Sequence, residues 1–387
     1  LTSNKIAGVE IIQPSPIVAE VDRKLYELLH DIDILSVVTP TNYQEQKTFF
    51  FDNHYSVAPQ FVYRRENIDA FLIKRELFNL PVDKIENDDL RSLYIDVIDS
   101  YVDKIDQFDS IGSHKFLYDS LRYYGEPTEK DIRNAQFILH IPEGFEDENQ
   151  TILNATDIAK LFKRFSRKHQ YDYHLSIDDK LIANALVFGS NVKINQAALI
   201  SSKDAMALAH HELGVHLLTS LNAQAQPLKV FQLGCPVNTK TQEGLAILSE
   251  YLAGCLTINR LKVLALRVVA VASLIKDKNF RHTFLLLKEQ YQIDDEQAFK
   301  ITSRVYRGGG FTKDYLYLQG FHEILNAYEN SQDFNNLLIG KTSYSYLPII
   351  TKLINTGILY PPLKITPSFC TPNQNSEVYK FISHAIK

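Results

Sequence analysis

The stretch HHELGVHLL, His210 to Leu218, constrains this chain more than any other. It sets His211, Glu212 and His216 inside an apolar segment. In the H-E-x-x-H pattern both histidines share one helix face, where they can hold a metal ion. Here the second histidine comes one residue late. At about 100° per residue, positions i and i+4 lie about 40° apart around a helix, whereas i and i+5 lie about 140° apart. A regular helix would therefore aim the two rings in different directions. One extra residue in the turn, a π-bulge, restores a common face, and such bulges recur at functional sites. Gly214 lies inside the intervening triplet, where backbone distortion is least costly. The spacing predicts a bulged turn around Leu213 to Val215. Two readings stay open on this stretch alone: a metal site on a distorted helix, or a core helix with incidental histidines. His210, which points elsewhere, is read as a packing residue or as a partner that orients a ligand.

A catalytic zinc site keeps three protein ligands and one open position, and with two histidines the third ligand is often a carboxylate. Downstream lies TQEGLAILSEYLAGCLTINR, with Thr241 as a helix N-cap. Glu243 and Glu250 are its two inward candidates, seven residues apart and so within about 20° of one face. Their apolar neighbours, Leu245 to Leu248, argue that this helix is buried. Gly244 permits close approach of another helix. A Glu directly after the first histidine suits a general base beside the metal, which marks Glu212.

The rest of the chain supplies a soluble-type core around these helices. Hydrophobic residues make up 45% and charged residues 22% of 387, ordinary globular values. A net charge of −5 gives no basic footprint for nucleic acid and no strong attraction to a membrane. The most apolar run, Leu261 to Ile275, is interrupted by Lys262 and Arg267 and falls short of the roughly 20 residues of a membrane span. Cys235, Cys255 and Cys370 form no C-x-x-C pair and read as reduced thiols, which places the chain in the cytoplasm. The first residues show no basic stretch followed by an apolar one, as a signal peptide would.

Along the chain, an extended arm through about residue 15 precedes helical spacing from Val18 to Leu35. KTFFFDNHYSVAPQFVYR reads as a short β segment, and the pattern from Asn67 to about Phe137 is helical. The polar, acidic segment from Gly144 to Ala155 reads as a linker. It separates a helical N-terminal region, 1–150, from a catalytic region, 151–387. In the second region a basic helix spans Asp157 to Gln170, and YDYHLSIDD and NALVFGSNVKIN read as strands. Ser201 and Asp204 have the spacing of a capping box that opens the motif helix.

Three motifs in order, HHELGVHLLT, TQEGLAILSEYLAG and RVYRGGGFTKDYLYLQG, resemble the bacterial flavohaemoglobin expression-modulating QEGLA-motif proteins. These are related to the microtubule-associated tyrosine carboxypeptidases, zinc enzymes that remove the C-terminal tyrosine of α-tubulin. The family pattern H-E-x-x-x-H with E-G-L-A implies one Zn2+ on His211, His216 and Glu243, with Glu212 as general base. The resemblance thus selects Glu243 over Glu250 and accepts the long spacing. It implies a mainly helical α+β fold, gluzincin-like, with a small sheet beside a bulged active-site helix. The implied activity is that of a zinc metallopeptidase acting as a carboxypeptidase on a peptide or protein C-terminus, terminal tyrosine included. The rival readings are a zinc endopeptidase on the same site and a non-catalytic regulatory or binding protein that retains a metal.

In the third motif, glycines let a backbone approach a ligand. Arg304, Arg307 and Lys313 are candidates to meet a terminal carboxylate, Arg307 foremost. Tyr306 or Tyr317 is a candidate to stabilise an oxyanion. His282 and His322 read as surface or core residues, since the ligand set is complete without them.

Overall fold

Helix termini along the N-terminal part of the chain are set by local capping. Ser15 accepts a hydrogen bond from the Val18 amide and opens the helix Pro16–Leu29. Asn87 caps Asp88–Asp109, whose first turn carries Asp88 and Asp89 against the positive end of the helix dipole. Thr128 and Asp131 cap each other reciprocally at the start of Glu129–Leu139. Gly125, at φ +75°, ends Lys115–Tyr124 in a conformation that favours glycine. The computed structural model describes residues 5–6, 9–10, 12–64, 68–142 and 151–387. Residues 144–150 of the segment read as a linker, and residues 1–4, 7–8 and 11 of the N-terminal arm, lie outside the described residues.

The β reading of KTFFFDNHYSVAPQFVYR is corrected. Its first part lies in a helix, Tyr43–Asp52, and no strand is formed in its described remainder. The aromatic residues that suggested a strand serve a tertiary cluster instead. Phe50 is fully buried and packs edge-on against Phe280 and Phe284, at centroid distances of 5.3 and 4.9 Å. Strand propensity measures fit to a half-buried surface, and a helix that meets aromatic neighbours satisfies the same side chains.

Strands are few and short. His174–Asp178 runs parallel to Asn191–Asn195, which pairs antiparallel with Ala185–Phe188 through a tight turn at Gly189. NALVFGSNVKIN is therefore a hairpin, not one strand. Ile152–Asn154 pairs antiparallel with Leu199–Ser201 and delivers the chain to the motif helix. The edge strand Ala185–Phe188 packs against the middle of that helix. The fold is thus α+β and mainly helical, with a small sheet beside the motif.

Two apolar clusters hold the helices together. The larger one is centred on Leu245–Leu248, on Ile258–Asp277 and on Leu316–Asn330. The second joins Val21, Leu25 and Leu93 to Phe231, Ile350 and Leu353, so segments far apart in sequence share it. Among the described residues no helix is long and apolar enough to cross a membrane.

A close crossing joins Thr239–Leu252 and Leu316–Asn330. A Cβ on Gly244 would come within 2.4 Å of the Gly320 carbonyl oxygen. A Cβ on Gly320 would come within 2.2 Å of the Lys240 oxygen. Two facing glycines let these backbones touch, which seats Glu243 against the motif helix.

Candidate metal centre

The motif helix begins where its cap predicts, at Ser202, with the Ser201 hydroxyl accepting from the Asp204 amide at 3.0 Å. It is α-helical to His211, π-helical over Glu212–Leu217, and α-helical again over Leu218–Gln224. The expected distortion around Leu213 to Val215 lies at the centre of the π segment. The wider turn brings the imidazoles of His211 and His216 together, with centroids 4.9 Å apart. A π turn disturbs the regular ladder of carbonyl acceptors, and buried carbonyls need partners. Hydroxyl groups supply them. Thr366 donates to the Gly214 carbonyl at 2.9 Å, Thr219 to Val215 at 2.9 Å, and Ser220 to His216 at 2.9 Å. The bulge is therefore held by side chains from two segments of the fold.

The third donor comes from the facing helix. Glu243 Oε2 lies 3.5 Å from Nε2 of His211 and 3.5 Å from Nε2 of His216. The three ligand atoms all lie within 4.8 Å of one another. Glu243 Oε2 is buried and makes no hydrogen bond, an arrangement that a cation would satisfy. Two imidazoles and one carboxylate are a donor set suited to Zn2+ with a position left open. The residues present therefore fit a metal ion.

That helix begins at Thr239, two residues before the expected cap. Thr241 instead accepts from the Tyr344 amide at 2.8 Å. Glu250, the other inward carboxylate, accepts from Nδ1 of His211 at 2.7 Å and is itself held by Arg260 at 3.2 and 3.3 Å. This carboxylate–imidazole contact fixes the ring and leaves Nε2 for the ion. The seven-residue spacing from Glu243 was the signal for Glu250; nothing in the sequence pointed to Arg260.

Burial disfavours a charged His211, but the Glu243 and Glu250 carboxylates that face its two ring nitrogens more than offset it, raising its pKa to about 9. In the metal-free protein this protonated ring adds stability that is full below about 6.5 and lost as pH rises through about 9. An incoming ion must displace that proton. Zinc binding at pH 7.5, followed by calorimetry in buffers of different ionisation enthalpy, is expected to release about one proton per ion. An unperturbed histidine would release only about 0.1. Release that small would contradict the raised pKa.

Glu212 opens the π segment beside His211 and is buried. The other sequence candidates scatter. Lys313, read as a partner for a terminal carboxylate, donates instead to Glu243 Oε1 at 2.7 Å and to the Tyr317 hydroxyl at 3.0 Å. Arg304 is committed to Asp314, which accepts from it at 2.6 and 3.0 Å. Tyr306 faces away toward Thr283, 2.9 Å from its hydroxyl. Arg307 is buried over the Phe311 ring, and its Nε has no acceptor. Tyr317 carries the Arg267 guanidinium over its ring at 5.2 Å, and Arg267 is a residue the motifs did not mark. His210 packs edge-on against Phe165 at 5.0 Å, outside the ligand set. His282 is largely exposed beside Asp277, and His322 lies beside Asn326.

Comparison with known proteins bears on residues 48–387, which match the family model described as microtubule-associated tyrosine carboxypeptidase. Microtubule-associated tyrosine carboxypeptidase 1 of Rattus norvegicus is 23% identical over 331 residues. The alignment covers 80% of this chain and 60% of the length of the rat protein.

Proposed function

Because the chain belongs to the microtubule-associated tyrosine carboxypeptidase family, we propose that it is a zinc-dependent peptidase of gluzincin type that removes C-terminal residues. The observation that carries this reading is the unpartnered Glu243 Oε2 facing two imidazoles, with Glu212 next to one of them. His211, His216 and Glu243 would hold the ion. When bound, Zn2+ acidifies water and polarises a carbonyl.

The remaining work falls to the chain's own side chains. Glu212 accepts the proton of the attacking water and delivers it to the leaving amine. Glu250 and Arg260 keep the His211 ring oriented throughout. Tyr317 is the candidate donor to the developing oxyanion. Arg307, with a free Nε, is the candidate for the substrate's terminal carboxylate. Burial and the nearby Arg304 lower its pKa to about 10, so it stays charged at neutral pH. Arg267 Nε likewise lacks a hydrogen-bond acceptor, although it lies 3.9 Å from Asp314 Oδ2. A buried guanidinium with a spare donor, as at Arg307, suits a free carboxyl terminus. Terminal tyrosine, which the relative's name specifies, is the first residue to try, in the cytoplasm.

The test is mass spectrometry of peptides that differ in their C-terminal residue, each with a free and an amidated end. Loss of single residues from the free-ended set alone is expected. Internal cleavage of end-blocked peptides would instead identify an endopeptidase. A second reading, a binding protein that keeps a metal without catalysis, is favoured by the depth of the cluster, since His211 is only 5% exposed. No cleavage of any peptide by zinc-loaded protein would favour it.

A further inference from the structure

Glu243 divides its two carboxylate oxygens between different partners. Oε2 faces the imidazoles and has no hydrogen bond, whereas Oε1 accepts from Lys313 at 2.7 Å. The lysine is 5% exposed, so solvent competes little for its ammonium. That ammonium also donates to Tyr317 and lies 4.6 Å over the tyrosine ring centroid.

The short turn Thr312–Tyr315 that carries Lys313 is tied down on both sides. The Thr312 amide donates to the Ser120 hydroxyl at 2.9 Å, and the Thr312 hydroxyl donates to the Ser120 carbonyl at 3.2 Å. On the other side, Asp314 accepts both bonds from Arg304. Ser120, 192 residues upstream of Thr312, and Arg304, in the preceding helix, thus fix where the ammonium sits.

A carboxylate with two free oxygens can bind an ion through one or through both. Here one is occupied. We propose that Lys313 is a positioning residue for the metal: its ammonium holds Glu243 Oε1, so that Glu243 offers only Oε2 to an ion at His211 and His216. The inference rests on reading this cluster as a metal centre. Its consequence is a coordination position kept free for water, which a second carboxylate oxygen would otherwise compete for. It also gives Lys313 a role distinct from substrate recognition.

Cobalt(II) is the probe, added to metal-free full chain and followed by visible absorption. The samples are wild type, Lys313→Met, which removes the ammonium but keeps an apolar stem, and Lys313→Arg, which restores a cation. Circular dichroism checks folding. Wild type is expected to take up about one equivalent with the intense band of four-coordinate cobalt. In Lys313→Met the band should weaken by about twofold or more as the second oxygen joins the ion, and Lys313→Arg should recover it. An unchanged band in folded Lys313→Met overturns the inference and leaves the metal reading intact. No uptake by wild type removes both. If Lys313→Met does not fold, the wild-type band decides: an intense band supports the inference and the weak band of six-coordinate cobalt overturns it.

Discussion

Glu212→Gln is expected to leave the chain folded and zinc-loaded while lowering peptide turnover by roughly 10²–10⁴-fold, the usual contribution of a positioned general base. The substitution keeps the shape of the side chain and removes only its capacity to take a proton. Glu212 is not among the three residues whose ligand atoms converge, so the ion should be retained. Zinc content by elemental analysis and turnover by mass spectrometry measure the two halves of the expectation separately. Unchanged turnover with full zinc would remove Glu212 from the mechanism. Loss of zinc would instead make Glu212 part of the binding shell.

Gly244→Ala should have the largest effect on folding. Its new Cβ would meet the Gly320 carbonyl oxygen at 2.4 Å and carbon at 2.6 Å, and the Ile324 side chain at 2.7 Å. Two of those three atoms are backbone, which cannot turn aside as a side chain can. Overpacking destabilises by about 1–3 kcal/mol, and a rigid backbone neighbour puts this site at the upper end. The crossing carries Glu243, so zinc affinity should fall together with the urea midpoint. Gly214→Ala is the contrast. Its Cβ would find Ser249 at 3.5 Å and Phe165 at 3.8 Å, ordinary contact distances. A glycine inside a helix is worse than alanine by roughly 0.5–1 kcal/mol, so Gly214→Ala should be neutral or mildly stabilising. Equal destabilisation at both positions would refute the distinction.

The contrast between these two glycines shows where sequence reasoning reaches and where it stops. Both stand inside motifs, but they read differently: Gly214 as a place where backbone distortion is least costly, Gly244 as one that permits close approach of another helix. At Gly244 the reason is a helix crossing, which its neighbour Glu243 made legible. At Gly214 the π turn forms with room for a Cβ. The hydroxyls of Thr219, Ser220 and Thr366 secure it, and Thr366 lies 152 residues from Gly214. The aromatic stretch before residue 60 shows the same limit. Its composition fits a strand, but its partners are phenylalanines more than 200 residues away.

What the amino-acid order determined by itself is everything that depends on neighbours within a turn or two. That includes the caps at Ser15, Asn87, Thr128 and Ser201, and the need for a bulge between His211 and His216. It also includes the acidic residue types placed to meet them. Helical periodicity and capping are local physics, so a local pattern suffices to read them. Tertiary structure alone decided how the charges are shared. Glu250 orients His211 because Arg260 supports it, and Lys313 takes one oxygen of Glu243 across 70 residues of chain. A buried charge must find its counter-charge wherever the packed helices bring one, and no spacing along the chain encodes that distance.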